Sequence, residues 1–254
     1  MQIVTYEERP DLVPRIEEIG EVWPEFLHHA NVPGLHWAKL RDELPGFQLV
    51  LWDDDSDRVV GRAQTIPTSA RDGLPGGIDD MLVRRFERGE TEADVLSAAV
   101  AIVDPGCQGE GLSALLVEGM RHLAREHGLG ALIAPVRPTW KERFPLIPLE
   151  EYARWTRGDG MPYDPWIRLH VRLAGEILEV CPESMVVEAV GADWESWTGL
   201  EFPGNGDYVV PGALVPVRFR HGVGRYVEPN LWIRHALQVP EGAEPRAVGR
   251  SSSS

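Results

Sequence analysis

The chain carries Val103-Asp104-Pro105-Gly106-Cys107-Gln108-Gly109-Glu110-Gly111-Leu112-Ser113, a glycine-punctuated loop of the kind that grips an anion. Glycines permit positive φ and close approach of the backbone to a ligand. The first N–H groups of a following helix have no intrahelical acceptors, so together with the helix dipole they attract phosphate oxygens. Which phosphate is the functional question. A P-loop requires Gly-Lys-Ser/Thr, and the loop has no lysine. Gly109-Glu110-Gly111-Leu112-Ser113-Ala114 satisfies the dinucleotide pattern G-x-G-x-x-G/A, which keeps a nicotinamide or flavin oxidoreductase open as an alternative. Against it, the first glycine of that fold follows its strand almost directly, whereas Asp104 to Gln108 intervene here. Val136-Arg137 also stands where a ribose-binding acid belongs.

The flanking segments position the loop. Leu96 to Val103 is short, apolar and β-branched towards its end, as a strand buried on both faces should be. Leu112, Leu115, Leu116, Met120, Leu123 and Ala124 recur at helical spacing, with Glu118, Arg121, Arg125 and Glu126 on the other side and Gly128 and Gly130 closing the run. Ala131 to Pro135 reads as a second buried strand. Strand, loop, helix and strand make a βαβ unit with parallel strands and a right-handed crossover.

The loop resembles the coenzyme A loop of the GNAT superfamily of N-acyltransferases, whose pattern runs Val-x-Pro-x-x-(Arg/Gln)-Gly-x-Gly-x-(Gly/Ala). Val103, Pro105, Gln108, Gly109 and Gly111 match in register, and Ser113 stands where that family has glycine or alanine. The resemblance covers about residues 94–135. It implies an α/β fold with a mixed central sheet, splayed parallel strands and flanking helices. It also implies that the backbone from Gln108 through Gly109, Glu110, Gly111 and Leu112 to Ser113 holds the pyrophosphate of acyl-CoA. Backbone donors near Ile102 and Val103 would polarise the thioester carbonyl. The implied reaction is direct transfer of an acetyl or other short acyl group to a primary amine, with acetyl-CoA as co-substrate. A binder of acyl-CoA without catalysis, or with another acyl-CoA reaction, is the further alternative.

An alkyl amine with a pKa near ~10 must lose a proton before it attacks, and the departing thiolate must gain one. The family acid is a tyrosine a few residues before a glycine in the helix after the second central strand. With Gly175 on that glycine, Val171 occupies the acid position. The helix is expected from about Asp164 to Leu178, with Trp166, Leu169, Leu173 and Ile177 on one face. His170, next to Val171, can act as base or acid near neutral pH. Tyr152 and Tyr163 are the rival acids.

With 254 residues, 43% hydrophobic and 26% charged, the chain has the composition of a soluble globular protein, expected in the cytoplasm. Its N-terminus lacks the basic-then-apolar layout of a signal peptide, and no apolar run is long enough to span a membrane. Cys107 and Cys181 make no disulfide framework, and without Cys-x-x-Cys or His-Glu-x-x-His spacing no metal is expected. A net charge of -15 argues against nucleic acid and suits a cationic small-molecule amine; Asp53-Asp54-Asp55 and Asp79-Asp80 read as solvated loops or, alternatively, as clusters that steer an amine. Arg137, Lys141 and Arg143 are candidates for the coenzyme's nucleotide phosphates. A homodimer is compatible with the chain, though nothing in it sets the oligomeric state.

We read residues 1–250 as one elaborated unit followed by a disordered tail at 251–254. Short helices are expected from Asp11 to Ala30, broken at Pro24, and strands at Phe47 to Trp52 and Arg58 to Gln64. Two insertions follow, at about 66–93 and 137–165. The first contains a helix through Met81, Leu82 and Phe86 and reads as a lid over the acceptor. A strand at Ser184 to Val190, a helix at Ala192 to Leu200 and strands at Tyr208 to Phe219 and Asn230 to His235 complete the reading. Of the nine tryptophans, those after the second central strand (Trp140, Trp155, Trp166, Trp194, Trp197 and Trp232) fit core packing, or alternatively an aromatic acceptor pocket.

Overall fold

The apolar run around residue 100 forms a central strand because both of its faces are covered. The computed structural model describes residues 1–20 and 22–237, so the tail expected at 251–254 lies outside the described residues. The strands are β1 (Gln2–Thr5), β2 (Gln48–Asp53), β3 (Arg58–Thr68), β4 (Val95–Val103), β5 (Ala131–Val136), β6 (Glu176–Val190), β7 (Gly206–Tyr208), β8 (Val217–Arg220) and β9 (Val223–Ala236). The helices are α1 (Asn31–Glu43), α2 (Ile78–Phe86), α3 (Leu112–Glu126), α4 (Leu149–Tyr152), α5 (Pro165–Arg172) and α6 (Gly191–Thr198), with 3-10 turns at Pro10–Glu18 and Glu25–His29. One mixed sheet runs β1-β2-β3-β4-β5-β9-β8-β7, with β6 also paired to β9. The pair β4–β5 is parallel and the other pairs are antiparallel.

On one face α3 buries Leu112, Leu116, Val117, Met120 and Leu123, each worth about 1.5–3 kcal/mol, together with the smaller Ala124. Gly61 on β3 permits this approach, since a Cβ there would stand 3.3 Å from a Leu116 methyl. Its neighbour Arg62 therefore points to the opposite face, which α1 and α2 cover with Leu40, Ile78, Met81 and Leu82. A second apolar cluster around Phe26, Trp194, Phe219 and Tyr226 packs at the far end of β6 and β9.

Several expectations are corrected. The helix α1, for which no expectation was stated, forms through Pro33 and Gly34 because a proline in the first turn gives up an N–H that has no partner anyway. The helix of the first insertion, α2, is packed into the core through Ile78, Met81 and Leu82. The helix expected to Leu178 stops at Arg172, with Ala174 at φ +60°, and Glu176 onward is β6. A Cβ at Gly175 would approach the His235 ring to 2.9 Å, so the turn needs glycine there. The single strand expected from Tyr208 to Phe219 is two, β7 and β8, separated by a loop through Val210, Ala213 and Leu214, all buried.

Candidate functional site

The loop after β4 is held from below and open above. Asp104 turns its carboxylate inward, accepting from the Gly106 N–H at 2.8 Å and the Gly20 N–H at 3.1 Å. Gly109 and Gly111 take φ of +89° and +80°, and a Cβ at either would have nothing within 4 Å. Their requirement is conformational, and the space above them is free. The first bonds of α3 are those of the Ala114 and Leu115 N–H groups to the Gly111 carbonyl. The backbone N–H groups from Gln108 to Ser113 therefore have no hydrogen-bond partner among the described residues. They line up at the positive end of the α3 dipole, which has no side-chain cap.

Below the loop the central strands part. Pairing between β4 and β5 is confined to Leu96 with Leu132 and Ser97 with Ile133. Across β4, Gln64 faces Val100 and Thr65 faces Ala98, so Ala99 is an extra residue and bulges the strand where the gap opens. The Asp104 N–H bonds the Val60 carbonyl, and antiparallel pairs alternate between hydrogen-bonded and non-bonded. Counting back, Ile102 is bonded to Arg62 while Val103 and Ala101 turn their amides into the gap. Of the two expected donors, Val103 thus faces the gap and the Ile102 amide is used in the sheet. Ala101, which the motif did not single out, joins Val103.

Ile102 contributes its side chain instead, on the face away from α3. It lines a cavity of about 170 Å³ together with Trp23, Trp37, Arg62, Ile78 and Met185. The aromatic walls therefore come from the N-terminal segment. Trp194 and Trp232 are fully buried, and Trp155 lies edge-on to Phe144 and Tyr163 in a packing cluster.

His170 is 1% exposed, and its Nδ1 stands 2.9 Å from His235 Nε2. Its Nε2 has no partner among the described residues. Burial first, then His235, pushes its pKa down to about 3, so the ring is neutral at pH 7. His235 faces Leu132, so the pair stands on the α3 side by the closed end of the gap. Tyr152 donates its hydroxyl to Asp164 Oδ2 at 2.9 Å, and burial raises its pKa. The same Asp164 caps α5 through the Trp166 and Ile167 N–H groups.

No family model matches the chain. It is 29% identical to the arginine N-acetyltransferase avaD of Aspergillus versicolor, over 90% of this chain and 91% of that protein. Its fold is similar to the loading GNATL domain of CurA from Lyngbya majuscula, with a TM-score of 0.59 at 17% identity, covering 92% of this chain and 96% of that one. It is also similar to the GphF GNAT-like decarboxylase solved with isobutyryl-CoA, with a TM-score of 0.58 at 17% identity, covering 94% and 100%.

The chain has the fold of these GNAT-type structures.

Against the GNAT pattern that the loop resembles, two departures stand out. Val171, at the position of the family tyrosine, packs against the main core, so the proton-transfer groups must come from elsewhere. Two of the basic residues expected to meet the coenzyme phosphates are engaged inside the protein. Arg137 pairs with Glu228 at 3.0 Å, and Glu228 also accepts from Tyr226 at 2.9 Å. Lys141 is fully buried and donates to the Phe144 and Leu214 carbonyls at 2.9 and 2.6 Å; burial lowers its pKa to about 8. Arg143 is exposed and lies over the Trp140 ring. Of the three basic residues, Arg137 and Lys141 are thus taken up by contacts within the protein.

Asp79, expected with Asp80 as part of an exposed acidic run, instead has a buried carboxylate oxygen. Asp79, on α2, accepts from the Val186 N–H at 3.0 Å, while its other oxygen is buried without a partner among the described residues. Burial pushes its pKa up to about 7. Nothing in its residue type or spacing set it apart from the solvated acids; only the docking of α2 on the irregular stretch of β6 between Cys181 and Met185 does so.

Proposed function

We propose that this chain moves an acetyl or other short acyl group from acyl-CoA to the primary amine of a small molecule by direct transfer. The observation that carries this reading is the run of unpartnered amides from Gln108 to Ser113 directly above the gap between β4 and β5. Such a run suits a pyrophosphate, and the gap accommodates an extended pantetheine arm alongside β4. The amides of Val103 and Ala101 are then the donors that meet the thioester carbonyl. The cavity on the opposite face is smaller than the ~300 Å³ at which drug-sized pockets begin, which favours a small acceptor. The printed name of the relative from Aspergillus versicolor, an arginine N-acetyltransferase, points the same way. The oxidoreductase alternative lacks comparable support, because Arg137, engaged with Glu228, stands where the ribose-binding acid belongs.

In this mechanism the amine nitrogen enters from the cavity side and attacks the thioester carbon. The C–S bond breaks, and the proton lost by nitrogen ends on sulfur. His170 lies on the other face, the side of the leaving thiol. Its neutral imidazole, with no partner on Nε2 among the described residues, is a titratable candidate on that face, and the low pKa limits it to relaying a proton rather than holding one. Tyr152, held by Asp164, acts by fixing the start of α5 and with it His170.

The test is ligand binding followed by turnover. Acetyl-CoA should raise the melting temperature and NAD and NADP should not, since a ligand specific to the folded state stabilises by mass action. Coenzyme A release with a panel of small amines should follow. Stabilisation by NAD with none by acetyl-CoA would overturn the reading.

A further inference from the structure

Arg62 is out of keeping with the cavity it lines. It is half-buried on β3, between the 3-10 turn carrying Ile16 and the aromatic walls of Trp23 and Trp37. Among the described residues no carboxylate pairs with it, and none lines the cavity. Its neighbour is the buried phenol of Tyr6, whose pKa burial raises and the Arg62 guanidinium pulls back. A cation partly withdrawn from water without an anion is unfavourable unless a ligand supplies the counter-charge.

That anion is not a coenzyme phosphate. The phosphate-binding amides open at the N-terminus of α3, and α3 packs on the Gly61 face of β3 while Arg62 projects from the other. Arg62 is instead the cross-strand partner of Ile102, which lies between the two amides facing the gap. Paired residues in an antiparallel ladder have Cβ atoms about 4.5–5.5 Å apart. Arg62 and Ile102 thus line the same cavity, on the face from which the amine enters.

We propose that Arg62 binds a carboxylate on the acceptor, so that the acceptor class is small amines carrying a carboxylate, as free amino acids do. This rests on the acyltransferase reading above. A planar guanidinium matches a carboxylate with two parallel hydrogen bonds, which an amide or a bare alkyl amine cannot offer. The apolar and aromatic remainder of the wall takes the body of the acceptor.

The experiment compares acceptors that differ only in the carboxylate: L-arginine with agmatine, L-phenylalanine with phenethylamine, and each amino acid with its amide. Coenzyme A release from acetyl-CoA gives kcat/KM for each. Binding of the same compounds to the protein preloaded with coenzyme A is measured by calorimetry. The carboxylated member should be preferred at least ~10-fold, the size of a charge-assisted pair. In Arg62→Gln that preference should collapse to within about threefold through a higher KM, and Arg62→Lys should restore part of it. Affinity for coenzyme A should not change in either variant.

Equal use or equal binding of acids and amines overturns the proposal, as does a preference that survives in Arg62→Gln. A carboxylate requirement met only by a dicarboxylic acyl-CoA, with the amine unmodified, also overturns it, by assigning Arg62 to the acyl group. Loss of coenzyme A binding in the wild-type protein would instead defeat the acyltransferase reading, so the two failures are distinct.

Discussion

The unit from β4 through the loop and α3 to β5 and the segment from Arg137 to Asp164 lie next to one another in the chain, but they are held by opposite means. The first is organised locally. Glycines at positive φ turn the backbone, one carboxylate two residues away pins the turn, and an apolar helix face covers the strand. The second adds to its local contacts buried charges that are satisfied at long range. Arg137 depends on Glu228, 91 residues away, and Lys141 on the Leu214 carbonyl, 73 residues away. In the first region polar groups are left open for a ligand, and in the second they are consumed by the fold. Basic residues beside a binding loop are thus not evidence of phosphate contact until their partners are known.

The largest effect that would sharpen this contrast is Glu228→Ala. It leaves Arg137 and the Tyr226 hydroxyl buried without their anion, and breaking such a pair costs about 3–5 kcal/mol. At about 2–4 °C per kcal/mol for a domain of this size, thermal denaturation should report a drop of about 6–20 °C. A drop under about 2 °C would mean that the network does not organise the second region.

His170→Gln comes next. It should lower kcat about 100-fold or more with KM for acyl-CoA little changed. The substitution also has a signature in stability. Because the folded pKa is pushed down to about 3, the unfolded chain binds a proton that the native ring refuses. Stability is then full above pH 6.5 and is lost as the pH falls towards 3. The variant should show a shallower acid loss than the wild-type protein. An unchanged kcat with the shallower acid loss would make the histidine pair purely structural.

The smallest effect tests Asp79, where a long-range contact has trapped an unpaired oxygen. With the folded pKa raised to about 7, the native state holds a proton that the unfolded chain releases from about pH 4 upward, so stability falls as the pH rises through that window. Asp79→Asn keeps an acceptor for the Val186 N–H and removes the cost. Its melting temperature should exceed the wild-type value by at least ~2 °C at pH 8 and match it near pH 4. Equal values at pH 8 would mean that Asp79 is solvated.

The same contrast sets what was legible in the sequence. The strand at Leu96 to Val103, the loop, α3 and β5 could be read because each is fixed by its own spacing and by glycines whose reason is local. The run expected as helix to Leu178 failed because Leu173 and Ile177 keep helical spacing while Gly175 answers to His235, sixty positions on, which no local pattern reveals. The acceptor side was the least legible. Arg62 carries no motif, and its setting arises from ladder parity and from Trp23 and Trp37, which precede the sheet's central strands rather than follow β5.

The central claim is that the bare amides of one turn hold the coenzyme, and calorimetric titration of coenzyme A into the wild-type protein and Gly111→Val tests it most directly. Gly111 sits at φ +80°, where a β-branched residue is strained by about 1–2 kcal/mol or more, so the turn must reshape. The account predicts saturable binding to the wild-type protein, weakened at least ~10-fold in the variant, with its melting temperature lowered by only a few degrees. Coenzyme A that does not bind the wild-type protein, or that binds both proteins equally, would contradict it.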